Sequence, residues 1–198
     1  MLRTIQIQNN QIGQTFLEKT NAEAHNIKGL IKGDELVQKA VYEAFAPKML
    51  AACNNFISDR TLAEEAMNNG FVKVFFNIKK YKQEGSFEGW IRKIMIRESL
   101  SFLRKKKFVI ASQSEVILEK QKTYQKPIEE VSEIQRLIEQ LPIEFKLVFN
   151  LYAIEGYTHK EIGDLLKIPE TTSKTRLFRA RTLLKEQLQT IKKANGRF

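Results

Sequence analysis

The stretch from Gly156 to Arg176 constrains this chain more than any other, because stop, start and restart signals for helices fall in it at fixed spacing. Thr158, followed three residues on by Glu161, is a capping box in which hydroxyl and carboxylate each satisfy a backbone N–H orphaned at a helix start. Gly156 suits the left-handed position that closes the preceding helix. After about two turns Lys167-Ile168 makes a tight break, and Pro169 fits the first turn of the next helix, where its missing donor costs nothing. Two helices joined this way are a helix-turn-helix, a device for reading duplex DNA.

The second of these helices divides by period. Ser173, Leu177, Ala180 and Leu184 recur at four, three and four residues and form an inward face, while Thr171, Lys174, Thr175, Phe178 and Arg179 point away from it. The outward set is polar and basic, as a helix in the major groove requires, and Thr172 and Arg176 complete the candidate DNA contacts. A basic helix in isolation is as often a solvated face; the capping box and the turn beside it favour DNA.

The net charge of +10 is unevenly placed. From Trp90 to Lys107 seven basic residues face one acid, giving +6; from Lys174 to Phe198 eight face one acid, giving +7. Since these two segments exceed the whole, the rest of the chain is net acidic, and two separate contacts with a polyanion are expected. The 198 residues, 42% of them apolar and 13 of them Phe, suffice for buried cores. No run approaches the roughly eighteen apolar residues of a membrane span, and the start lacks the apolar centre of a secretion signal, so a cytoplasmic protein without membrane insertion is expected. The single Cys53 can form no internal disulfide and reads as a core residue.

Along the chain, residues 1–25 are rich in Gln, Asn and Thr without period and read as a mobile arm. A helix is expected from Asp34 as N-cap, with Leu36, Val37, Ala40, Val41, Ala44 and Phe45 on one side until Pro47 interrupts or bends it. A further segment continues through Met49, Leu50 and Cys53. A long helix from about Thr61 to Tyr81 carries Leu62, Ala66, Val72, Phe75, Phe76 and Ile78; Ser86, after the loop Gln83 to Ser86, caps another reaching Lys106. The period fades over 108–127, a linker, and returns from Ile128 with Val131, Ile134, Ile138 and Leu141; Pro142 then opens a helix leading to Gly156. The expected fold is all-α: two small helical domains, 26–107 and 128–198, joined by a flexible linker.

In the helix after Ser86, Trp90, Lys93, Arg97 and Arg104 step along one stripe, while Phe87, Ile91, Ile94 and Phe102 can face inward. An aromatic ring among spaced cations suits a strand with unstacked bases, which rings accept on their faces while cations hold the phosphates. A lone Trp is also commonly a core residue, and that alternative stands beside this one.

With these motifs in order, the chain resembles bacterial RNA polymerase sigma factors of the extracytoplasmic-function group, over about Leu30 to Leu188. The family's Ala-Glu-Asp-x-x-Gln-x-x-Phe reads here Ala63-Glu64-Glu65-Ala66-Met67-Asn68-Asn69-Gly70-Phe71. The resemblance implies that this helix docks on the clamp coiled coil of the polymerase's largest subunit through Glu64, Glu65 and Asn68. Glu65 stands for Asp and Asn68 for Gln, each altering reach by one methylene, and Gly70 weakens the helix by up to about 1 kcal/mol relative to Ala.

The family's Phe-x-x-Trp-Leu-x-x-Ile with a basic end reads Phe87-Glu88-Gly89-Trp90-Ile91-Arg92-Lys93-Ile94, through Leu103-Arg104-Lys105. The resemblance implies that the loop Gln83 to Ser86 captures an extruded base of the minus-ten element and that the helix holds the melted strand. Arg97 and Ser101 stand where the family often has Asn and Asp, which bears on the base preferred. Leu141-Pro142, Glu155-Gly156-Tyr157-Thr158, Glu161-Ile162 and Thr172 to Arg181 match the family's last domain, which reads the minus-thirty-five element with its preceding helices on the polymerase flap. Thr171 stands for the usual Gly and Ser173 for the usual Val, so a less firmly packed helix is expected.

The sequence thus leads to a sigma factor that binds core RNA polymerase, directs it to promoters and promotes melting without being an enzyme and without a cofactor. An anti-sigma factor is the further partner the family implies. A stand-alone helix-turn-helix regulator binding duplex DNA is the alternative; it leaves the acidic helix and the Trp90 stripe without a task. His25 and His159 are isolated in sequence, and His159, near a helix start, is expected to be exposed.

Overall fold

All the regular structure in residues 27–112 and 133–194, which the computed structural model of the protein describes, is helical. A short helix over 27–32 (α1) precedes α2 (Glu35–Asn54), α3 (Arg60–Asn77) with a 3₁₀ turn at Ile78–Lys80, and α4 (Phe87–Ser112). Then come α5 (Glu133–Gln140), α6 (Ile143–Phe149) running into a π-helical turn at Asn150–Ile154, α7 (His159–Leu166) and α8 (Glu170–Ala194). The all-α expectation holds, and no described helix is long and apolar enough to cross a membrane. The N-terminal arm, His25, the linker beyond 112, and Ile128 and Val131 lie outside the described residues.

Local chemistry sets the helix starts. The carboxylate of Asp34 accepts the backbone N–H groups of Leu36 and Val37 at 3.0 and 3.2 Å. Ser86 Oγ accepts that of Gly89 at 3.1 Å. Asp59, a cap not expected from the sequence, accepts that of Leu62 at 3.1 Å. Of interruption or bending at Pro47, interruption does not occur: α2 runs through it. Pro47 and Glu43, whose carbonyl loses its partner, are exposed, so the position is open to solvent rather than buried. Leu36, Ala40 and Ala44 are also exposed; the buried side of α2 is Val41, Met49, Ala52 and Cys53. Likewise α4 extends past Lys106 to Ser112.

The described residues form two compact units, one of 27–52 with Glu64–Glu98, the other of Cys53–Ala63 with Ser99 onward. In the first, Val41, Met49, Phe71, Val74, Phe87, Ile91 and Met95 are buried. The Tyr42 and Phe71 rings are 4.8 Å apart. Gly70 is buried where a Cβ would run into Met95 Sδ, so this glycine, which costs α3 helical propensity, lets α4 approach closely. Glu98 is buried and paired with Lys73.

In the second unit Leu137, Leu141, Ala180 and Leu184 form the core, with Ile138, Phe145, Phe149, Leu183, Leu188 and Ile191 packed against it. The α5 stripe read from sequence supplies Leu141 and Ile138 to it, whereas Ile134 is exposed. Two buried polar residues of the same unit find acceptors for their donors, which offsets part of the cost of burial: Lys146 donates to Ser58 Oγ at 2.9 Å, and the Asn150 amide nitrogen donates to the Asn55 carbonyl while its Oδ1 is left without a hydrogen bond.

Candidate nucleic-acid interface

The capping box forms as the sequence specifies. The backbone N–H of Thr158 donates to the Glu161 carboxylate at 2.8 Å, and the backbone N–H of Glu161 donates to Thr158 Oγ1 at 3.3 Å. Gly156 adopts φ +73°, closing the preceding turn in the left-handed region. Lys167 closes α7 at φ 58°, with Ile168 N–H bonded to Gly163 O at 3.1 Å. The turn is tight: a Cβ on Gly163 would lie 2.9 Å from the Ile168 carbonyl oxygen. Pro169 is the residue immediately before α8, its carbonyl accepting the Ser173 N–H at 3.1 Å.

Ser173, Leu177, Ala180 and Leu184 are all buried, as their period predicted, and Thr171, Lys174, Thr175, Phe178 and Arg179 are exposed on the other side of α8. Phe178, 72% exposed, is a large ring offered to solvent among cations. Thr172 is half-buried. Arg176 is half-buried too, its guanidinium held by Glu144 of α6 at 2.9 Å, so it serves first to tie α6 to α8. Lys174 forms an exposed pair with Glu170 at 2.7 Å, four residues earlier, which lowers the Glu170 pKa through its hydrogen bond and charge. Such exposed pairs contribute little and exchange readily for a phosphate.

Ser173, where a less firmly packed helix is expected, is fully buried, and the expectation of an exposed His159 does not hold. His159 is half-buried, with Nδ1 3.0 Å from Ser173 Oγ and its ring stacked on Tyr152 at 4.5 Å and 22°. Burial pushes the His159 pKa below its ordinary value, and Lys174 and Arg181 push it the same way against the opposing charge of Glu170. Sequence spacing could not show this pair, because its partners lie in different helices.

On α4 the sequence stripe is also present. Lys93, Arg97 and Arg104 are exposed, Phe87 and Ile91 are buried, and Ile94 and Phe102 are half-buried. Trp90 is half-buried, neither core nor free: it stacks on buried Phe87 at 5.9 Å and 16°, and against Tyr81 at 5.2 Å. Tyr81 was not among the predicted residues. It joins the rings to the loop by donating its hydroxyl to the Gly85 carbonyl at 2.8 Å, and the loop itself bends through left-handed Gln83 and Gly85. The result is an aromatic platform beside a loop, flanked by exposed cations.

On α3, Glu65 and Asn68 are exposed and Glu64 is half-buried. Asn68 Oδ1 accepts the Tyr42 hydroxyl at 2.9 Å. Val72 and Phe76, read from sequence as part of the helix's apolar content, are exposed at 53% and 83% and continue the face of Glu65 and Asn68 at helical spacing. Burial alone distinguishes them from Phe71, Val74 and Ile78, which point into the core. No cluster of metal-binding side chains occurs among the described residues.

Residues 41–109 match the family pattern of Sigma-70 region 2, and residues 132–184 that of Sigma-70 region 4. The chain is 26% identical over 179 residues to the ECF RNA polymerase sigma factor SigW of Bacillus subtilis, covering 83% of this chain and 96% of that protein. It is 21% identical over 175 residues to the ECF RNA polymerase sigma-E factor of Haemophilus influenzae, covering 81% of this chain and 92% of that protein. Among solved structures, the sigma factor RpoE of Bartonella quintana, co-crystallised with the anti-sigma factor NepR, superposes with a TM-score of 0.56 at 19% identity. The superposition covers 76% of this chain and 96% of that one, and shows a shared fold.

Proposed function

We propose a division of labour within this chain, which belongs to the extracytoplasmic-function group of the sigma-70 family and directs RNA polymerase to promoters. Exposed Thr171, Lys174, Thr175, Phe178 and Arg179 of α8, with Thr172 beside them, read duplex DNA upstream. Trp90, on its platform of Phe87 and Tyr81, with Lys93, Arg97 and Arg104, holds the melted strand. Glu64, Glu65 and Asn68, extended by Val72 and Phe76, form the face that docks on core polymerase. Arg176 acts indirectly, holding α8 to α6 through Glu144.

The observation that carries this division is the contrast between a half-exposed ring platform and a polar, basic helix face in one chain. Rings stack on bases only when the bases are unpaired, so the platform stabilises the open strand and shifts the equilibrium toward melting by selective binding. No step of bond chemistry falls to this chain, which acts in the cytoplasm on the polymerase. An anti-sigma factor is the partner its family membership suggests.

The test is a gel-shift assay on promoter duplex with and without core polymerase. Strong binding is expected only with polymerase; tight binding by the chain alone to a palindrome would establish a stand-alone regulator. Glu65→Lys and Phe76→Ala are expected to weaken polymerase association, Phe76→Ala by about 1–2 kcal/mol as an exposed aromatic on the docking face. Titration of labelled chain with core enzyme measures this, and unchanged affinity removes α3 from the docking face.

A further inference from the structure

The first two turns of α8 face a mechanical problem. Their residues supply the proposed groove contacts, yet among Glu170–Arg176 only Ser173 is buried. The apolar anchors of the helix, Leu177, Ala180 and Leu184, all lie further along. Apolar contact is non-directional and leaves rotation of a helix end weakly specified, whereas a hydrogen bond fixes direction within a few tenths of an ångström. Half-buried Arg176 ties the end of this stretch to Glu144 of α6 at 2.9 Å, but the one fully buried group is the Ser173 hydroxyl, and its partner is His159 at the start of α7, 3.0 Å away.

His159 is itself held. Its ring stacks on Tyr152, and the Arg181 guanidinium lies 5.6 Å from the Tyr152 ring centre, so contacts run from the π-helical turn through α7 to α8 and return from α8 to Tyr152. Either ring nitrogen of a neutral imidazole can accept or donate, and the serine hydroxyl rotates to suit, so the pair satisfies both groups. We infer that His159 is a positioning residue for upstream-element reading: through Ser173 it fixes the direction in which Lys174, Thr175, Phe178 and Arg179 leave α8. This rests on the reading of α8 as the duplex-binding helix.

His159→Phe keeps the stack on Tyr152 and strands the Ser173 hydroxyl. His159→Phe with Ser173→Ala replaces both polar partners with apolar ones, which is close to neutral when a buried pair is removed together. Holoenzyme binding is measured on two duplexes, one carrying the upstream element selected by the wild-type holoenzyme and one with that element scrambled. The temperature is kept well below the melting transition that circular dichroism gives each variant. His159→Phe is expected to lower the selected-to-scrambled ratio about tenfold, and adding Ser173→Ala to recover most of it. An unchanged ratio in His159→Phe, or equal loss on both duplexes, overturns the inference. Arg179→Ala and Lys174→Ala run alongside: if they lower the ratio and His159→Phe does not, the positioning role alone fails, and if neither lowers it, the reading of α8 fails and takes the inference with it. Ser173→Ala alone, a milder change, gives the same decision should His159→Phe not fold.

Discussion

The platform on α4 and the outer face of α8 are both cationic, yet their chemistries are opposite. Around Trp90 the chemistry is flat and apolar at its centre, three rings within 6 Å of one another beside a loop that turns through two left-handed residues. On α8 the centre is polar, with threonines and cations around one exposed ring, and the apolar residues are turned inward. The difference teaches that charge alone does not identify a nucleic-acid contact. Cations supply affinity for any phosphate backbone, whereas rings or hydrogen-bonding side chains decide whether open strand or intact groove is preferred.

The comparison breaks most readily at Trp90. Trp90→Ala is expected to cost about 1–3 kcal/mol for a stacked base and so lower open-complex formation by roughly tenfold or more, with duplex binding upstream unchanged. Permanganate reactivity of unpaired thymines measures the first and footprinting the second; equal loss in both would erase the distinction. Arg179→Ala is the mirror experiment, expected to remove about 1–3 kcal/mol of upstream discrimination if the contact to a base edge is bidentate, and to leave melting from pre-opened templates intact. Lys174→Ala should cost less than Arg179→Ala, because the Lys174 ammonium is a point charge without the planar fork of a guanidinium.

Smaller effects sharpen the contrast through stability. Each region holds a non-glycine residue in the left-handed region, Gln83 in one and Lys167 in the other. Lys167→Gly relieves backbone strain at a helix end, offset by added freedom in the unfolded chain, and is expected to raise stability by up to about 1 kcal/mol, read as a rise in Tm with DNA binding kept.

The smallest expected effect is with pH. Because the folded His159 holds a proton less readily than the unfolded one, stability is fully present above about pH 6.5 and is lost as pH falls through the lowered folded value. A Tm series from pH 7.5 downward should show this decline, and His159→Phe should flatten it.

Much of this was legible in the residue order. The capping box, the left-handed Gly156, the inward face of α8 and the Ser86 cap rest on contacts three to four residues apart, and such contacts are written in the sequence. The same locality explains the misreadings. The apolar content of α3 does not separate exposed Val72 and Phe76 from the core residues, because hydrophobicity says nothing of which side has a neighbour; the apolar side read for α2 includes exposed Leu36, Ala40 and Ala44 for the same reason. Pro47 leaves interruption and bending both open in the sequence, because the cost of its missing bond depends on whether water can reach the carbonyl it deserts.

What the sequence by itself determined, then, is the main helices from α2 to α8, the caps at Asp34, Ser86 and Thr158, the two basic segments and the family that their motifs specify. Tertiary structure alone decided that Arg176 belongs to Glu144, that Tyr81 completes the Trp90 platform, and that Ser173 is satisfied by His159. The reason is range: helical geometry fixes neighbours within one or two turns, whereas a side chain's partner in another helix depends on how the helices pack, which no local pattern encodes.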